Sequence, residues 1–165
     1  MILVIISGLS GSGKSIALHT LEDMGYYCID NLPVGLLDAL SQEFSGHNLG
    51  KVDKIAVGID ARNHPDQIRH FPAFLASCSE RGIDCRTLFL QADTRTLIQR
   101  FSETRRKHPL SGSDTTLADA IDMERKLLAP IAGEADLFID TSRTNIHQLR
   151  DMVRECIDSS QTSGL

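Results

Sequence analysis

At 165 residues the chain holds one hydrophobic core and leaves little room for a second. Its 41% apolar and 24% charged residues suit an ordinary globular domain, and a net charge of −5 argues against a domain devoted to nucleic acid, whose phosphates demand a basic surface. Four cysteines (Cys28, Cys78, Cys85, Cys156) form no C-x-x-C pair and six histidines form no H-E-x-x-H, which argues against a zinc site and reads as reduced thiols in a cytoplasmic protein.

The first apolar run, residues 2–7, lacks a basic leader and is too short for a signal peptide or a membrane span, so it is predicted as a buried strand. A glycine-rich turn follows, then helical periodicity over 14–24. A second strand is predicted over 26–29, stopped by Asp30-Asn31-Leu32-Pro33, with a helix over 34–44 behind it. Strand 54–59 precedes helix 65–81, and strand 86–90 precedes helix 97–105, which Asp93-Thr94 introduces. Ser113-Asp114 introduces a helix over 116–131. Strand 136–139 then leads through Thr144-Asn145 into a last helix over 145–157. Apolar strands alternating with helices predict a three-layer α/β domain over 1–157, of the P-loop NTPase (kinase-like) type, around a mostly parallel five-stranded sheet. The polar stretch 158–165 reads as a tail or the start of a linker to a C-terminal domain beyond it.

The most specific motif is Gly8-Leu9-Ser10-Gly11-Ser12-Gly13-Lys14-Ser15, a G-x-x-x-x-G-K-S placed directly between strand and helix. Glycines let the backbone curl with its N–H groups inward, and the helix end behind them adds positive potential. Lys14 would meet the β- and γ-phosphates of ATP or GTP, and Ser15 would ligate Mg²⁺.

Such a site also uses a carboxylate near the metal. Asp60, Asp93 and Asp140 end apolar strands, and Asp30 is a fourth candidate. Position favours Asp60 as the magnesium partner of Ser15, whereas Asp93 and Asp140 precede Thr at a helix start and read better as caps. Asp60-Ala61-Arg62-Asn63 lies at the carboxyl edge of the sheet, where open α/β sheets bind ligands, and is a candidate second nucleotide contact. Positive charge gathers at Arg95, Arg100, Arg105, Arg106 and Lys107. Arg105 and Arg106 are candidate catalytic lid residues, with Lys14 and Asp60 the other catalytic candidates.

The P-loop together with Leu21-Glu22-Asp23-Met24-Gly25-Tyr26-Tyr27-Cys28-Ile29-Asp30-Asn31-Leu32-Pro33 resembles the RapZ/YvcJ family of bacterial nucleotide-binding proteins. Asp60-Ala61-Arg62-Asn63, Thr104-Arg105-Arg106-Lys107-His108-Pro109-Leu110 and Ala135-Asp136-Leu137-Phe138-Ile139-Asp140-Thr141-Ser142 extend the resemblance over essentially the whole chain. The resemblance implies ATP binding at Gly8 to Ser15, GTP binding at Asp60 to Asn63, and weak ATPase and GTPase activity. It also implies RNA and RNase partners for a full-length regulator, through a C-terminal domain. No membrane association is expected, and an oligomer is compatible with the sequence. Two other readings stay open: a small-molecule or nucleoside kinase with Asp30 as the acceptor base, and an interaction module that nucleotide merely stabilises.

Overall fold

The computed structural model describes residues 1–46 and 52–162. Five strands, β1 (Ile2–Gly8), β2 (Tyr27–Ile29), β3 (Lys54–Ile59), β4 (Asp84–Gln91) and β5 (Leu137–Asp140), form one sheet in the order β2-β3-β1-β4-β5. Every neighbouring pair is parallel, so the mostly parallel sheet expected from the sequence is wholly parallel.

Parallel strands need covered crossovers, and the alternating side chains of β1 show how both faces are covered. Leu3 and Ile5 face one layer, packed with Leu37 of α2 (Leu37–Ser45), Ile68 of α3 (Pro65–Arg69), Phe71 and Phe74 of α4 (Phe71–Glu80), and Ile131 of α7 (Ala129–Ala132). Val4 and Ile6 face the other, packed with Ala17, Leu18 and Leu21 of α1 (Lys14–Asp23) and Leu149, Val153 and Ile157 of α8 (Ile146–Thr162). Two further helices, α5 (Thr94–Thr104) and α6 (Leu117–Leu127), sit over the carboxyl end of the sheet, where Leu97 and Ile121 close on Leu9 and Ala92.

Several predicted elements change at their ends or interiors. The helix expected over 65–81 breaks at His70, because Pro72 has no N–H to give the Ile68 carbonyl. Pro130 divides the expected 116–131 helix in the same way, leaving α6 and the single turn of α7. Residues 34–36 form a 3₁₀ turn before α2. The 116–131 helix begins at Leu117, capped by Thr116 accepting from Asp119 N–H at 3.1 Å, not from the Ser113-Asp114 signal.

The expected polar tail is helical as far as it is described: α8 runs to Thr162, five residues past the expected end at 157. Neighbours across the fold account for the extension. Arg86 donates to Ser160 Oγ, and Gln161 Nε2 donates to Tyr26 Oη at 3.3 Å. Polar composition suggested a linker, but partners outside the helix hold these side chains. Residues 163–165 lie outside the described part.

Candidate functional site

The site grows out of the carboxyl end of β1. Gly8 lies against β4 so closely that an added Cβ would stand 2.2 Å from the Leu90 carbonyl oxygen, which no side chain tolerates. The chain then curls to Gly13, which is left-handed at φ 111 and precedes α1 without a side-chain cap. The first helical bond runs from Ala17 N–H to the Gly13 carbonyl at 3.1 Å, so the N–H groups of Lys14, Ser15 and Ile16 are left for an anion at the helix's positive end.

A loop that turns N–H groups inward must hold its carbonyls elsewhere. Arg100 donates to the Gly11 carbonyl at 2.9 Å and to Thr141 Oγ1 at 3.0 Å. The Thr141 hydroxyl in turn donates to the Ser12 carbonyl at 2.7 Å. Lys14 Nζ folds over the loop, donating to the carbonyls of Gly8 at 2.8 Å and Leu9 at 3.1 Å. Burial lowers the Lys14 ammonium below its ordinary value, opposed first by Glu124, then by Asp60 and Asp30.

Glu124 of α6 is fully buried and faces the loop from outside the motif. It accepts from Ser10 N–H at 2.7 Å and from the Ser10 hydroxyl at 2.6 Å. His108 Nε2 approaches the same carboxylate at 3.3 Å while its Nδ1 accepts from Leu110 N–H at 3.0 Å. The second bond assigns the ring proton to Nε2, so His108 donates to Glu124.

Asp60 ends β3, which pairs with β1, as its expected place beside the phosphate loop requires. Both its oxygens are taken by Arg62, whose Nε lies 3.1 and 3.0 Å from them and whose terminal nitrogen makes an ion pair. Burial works to raise the Asp60 carboxyl, but the Arg62 hydrogen bonds and the Lys14 charge outweigh it and hold the group below its ordinary value. Ala61 and Asn63 are buried. The Asn63 side chain ties Val34 N–H, at 2.7 Å, to the Asp60 carbonyl, at 3.1 Å. Of these four residues only Arg62 is exposed.

Arg105 adopts a left-handed conformation at the end of α5, with φ 53, and is exposed. Arg106 reaches a cavity of about 350 Å³ beside α1 that also carries Ser15, His19, Glu22 and Asp30. Asp30 sits where Gly58 leaves space: a Cβ there would be 2.7 Å from its carboxylate. Asp93 and Asp140 serve as local caps, accepting from Thr96 N–H at 2.7 Å and Ser142 N–H at 2.8 Å. A second cavity of about 340 Å³ opens near Asp84 and Asp136, at the opposite edge of the sheet from the loop.

Magnesium fits this donor set only in company. Ser15 is exposed and lines the same cavity as Asp30, and Asp60 ends the strand beside the loop, so hard oxygen ligands are at hand. Among the described residues no three His, Cys, Asp or Glu side chains gather closely enough to hold a metal, so most ligands would come from phosphate and water.

Sequence reading missed Glu124, although an acid among Ala120, Ile121 and Leu128 on the inner face of its helix was a visible signal. It also left Arg100 and Thr141 without their role on the loop.

A parallel sheet in this order, with a G-x-x-x-x-G-K-S turn between its central strand and a helix, defines an α/β domain of the P-loop, kinase-like class. Residues 1–161 match the family described as the RapZ-like N-terminal domain, and the chain belongs to that family. A nucleotide-binding protein of Alkalilimnicola ehrlichii is 58% identical over 156 residues, covering 94% of this chain and 54% of that protein. One from Methylococcus capsulatus is 56% identical over 155 residues, covering 94% and 52%. The chain thus spans about half the length of these curated relatives. Shikimate kinase from Acinetobacter baumannii, solved with shikimate, shares the fold at TM-score 0.57 and 14% identity over 96% of this chain and 93% of that one. YorR of Bacillus subtilis, solved with phosphorylated GDP, does so at 0.58 and 14% over 97% and 98%. No helix among the described residues is long and apolar enough to cross a membrane.

Gly8→Ala is expected to cost about 1–3 kcal/mol, since its Cβ meets rigid backbone and its φ is strained. Thermal unfolding measures it, and an unchanged Tm would contradict the contact with Leu90.

Proposed function

We propose that this domain binds ATP and GTP as their magnesium complexes in one phosphate site and hydrolyses them slowly, as the nucleotide-sensing part of a larger regulator. The observation that carries the reading is the strand–glycine loop–helix turn, with free N–H groups at its helix end and Lys14 folded over it. Relatives named nucleotide-binding proteins, more than half identical to this chain, support it.

In this reading Gly8, Leu9, Ser10, Gly11, Ser12 and Gly13 shape the cradle, Lys14 meets the β- and γ-phosphates, and Ser15 ligates magnesium. Bound magnesium would neutralise charge shared by those phosphates. Asp60, whose two oxygens are held in place by Arg62, would be its carboxylate partner. The Asp60-Ala61-Arg62-Asn63 segment is assigned to the same crevice because it follows β3, which pairs with the β1 strand that leads into the loop. Ala61 and Asn63 then shape the edge, and the exposed Arg62 is the direct contact for either nucleotide. Arg106, beside Ser15 in the crevice, and Arg105 next to it supply positive charge to the transferred phosphate. The roles of RNA and RNase partners fall to the part of the full-length protein beyond this acidic domain.

One observation favours a second reading, a small-molecule kinase. The 350 Å³ cavity places Asp30 and Arg106 beside Ser15, where a hydroxyl acceptor would lie. A metabolite that raises ATP consumption on the order of 10³-fold would decide for the kinase; slow phosphate release with water alone as acceptor would decide for the sensor.

Lys14→Ala should weaken ATP binding at least about 100-fold by isothermal titration, equivalent to roughly 2.7 kcal/mol. Undiminished affinity would remove the basis of the site. ATP and GTP should displace one another completely in a competition titration, and simultaneous binding would contradict a single phosphate site. Asp60→Asn should abolish magnesium-dependent hydrolysis while affinity stays within about tenfold; full turnover in that variant would eliminate Asp60 from metal handling.

A further inference from the structure

We propose that Glu124, which lies outside the P-loop motif, is a positioning residue of the phosphate site: its carboxylate fixes Ser10 at the tip of the loop. The role rests on the reading of the loop as a nucleotide site.

The geometry is that of a carboxylate fully hydrogen-bonded in the interior. A buried charge is costly unless paired and hydrogen-bonded, and Glu124 has three donors: Ser10 N–H, the Ser10 hydroxyl and His108 Nε2–H. Two of them come from a single loop residue and grip its backbone and side chain together. His108 is itself oriented, by Leu110 N–H on Nδ1 and by the Phe101 ring with centroids 5.3 Å apart. Packing alone does not require an acid here. The neighbouring buried positions of α6 and its end are Ala120, Ile121 and Leu128, and an apolar side chain would complete that stripe.

The loop benefits in two ways. Ser10 is held with its N–H turned to Glu124, so Gly11 and the residues after it take a fixed curvature around a phosphate, helped by Arg100 on Gly11 and Thr141 on Ser12. Lys14 also gains charge support. Burial lowers its ammonium, and of the groups around it Glu124 from α6 opposes this most, ahead of Asp60 at the end of β3 and Asp30 after β2. Arg62 acts in the other direction.

Glu124→Gln keeps the volume and most of the hydrogen-bonding capacity but removes the charge. The full chain should still fold, with ATP affinity near pH 7 reduced about tenfold. Glu124→Leu, which completes the apolar stripe but removes both bonds to Ser10, should lose more affinity than Glu124→Gln, so that the amide restores part of the loss. Ser10→Ala, which removes one donor and leaves α6 intact, should weaken ATP binding severalfold, and combining it with Glu124→Gln should cost less than the product of the two losses. A Glu124→Gln protein with wild-type affinity, a Glu124→Leu protein no weaker than it, or strictly multiplicative losses in the Ser10 pair would reduce Glu124 to a structural tie and overturn the proposal. Failure of the wild-type chain to bind ATP would instead refute the nucleotide reading, and this role with it.

Discussion

The site depends on one constraint: a short loop must present backbone N–H groups to an anion while its own carbonyls are held by partners elsewhere. Hydrogen bonds from the surrounding elements meet that constraint. Arg100 of α5 holds the Gly11 carbonyl, Thr141 after β5 holds the Ser12 carbonyl, and Glu124 of α6 holds Ser10. Three elements far from the loop in sequence thus converge on three consecutive loop residues, Ser10, Gly11 and Ser12. Without them the glycines would make the loop flexible, and the entropy of ordering it would oppose binding.

The sheet makes this convergence possible. With β1 in the middle, β3 on one side and β4 on the other, the carboxyl ends of all neighbouring strands open onto the loop. The strand ends supply Asp30, Asp60 and Thr141, and the helices capping that edge supply Arg100 and Glu124. The close approach of Gly8 to Leu90 seats the first residue of the motif against β4, so the loop begins from a rigid point. Charge is arranged with the same economy: Lys14, lowered by burial, is surrounded by acids on three different elements.

Much of this was legible in the sequence, for identifiable reasons. Apolar runs bounded by turn residues marked all five strands, and a glycine motif between strand and helix marked the phosphate loop. Prolines were read too weakly: Pro72 and Pro130 each interrupt a helix that apolar periodicity carried straight through. The polar stretch after residue 157 looked like a linker because composition does not reveal partners such as Tyr26 and Arg86, which hold it as helix. Asp60 was placed correctly beside the loop strand, but its engagement by Arg62 is a side-chain event that strand position does not encode. Glu124 stands out locally as an acid on an apolar helix face, but its role does not, because its partner Ser10 is 114 residues away. The family resemblance read from the motifs holds over residues 1–161.

The central claim is that Gly8 to Ser15 form a triphosphate cradle closed by Lys14. Its most direct test is a crystal structure of the domain with magnesium and a non-hydrolysable ATP analogue. The β- and γ-phosphates should lie against the N–H groups of Gly13 to Ile16, with Lys14 Nζ transferred from the Gly8 and Leu9 carbonyls to phosphate oxygens and Ser10 still on Glu124. Nucleotide bound elsewhere, with Lys14 still on those two carbonyls, would contradict the account.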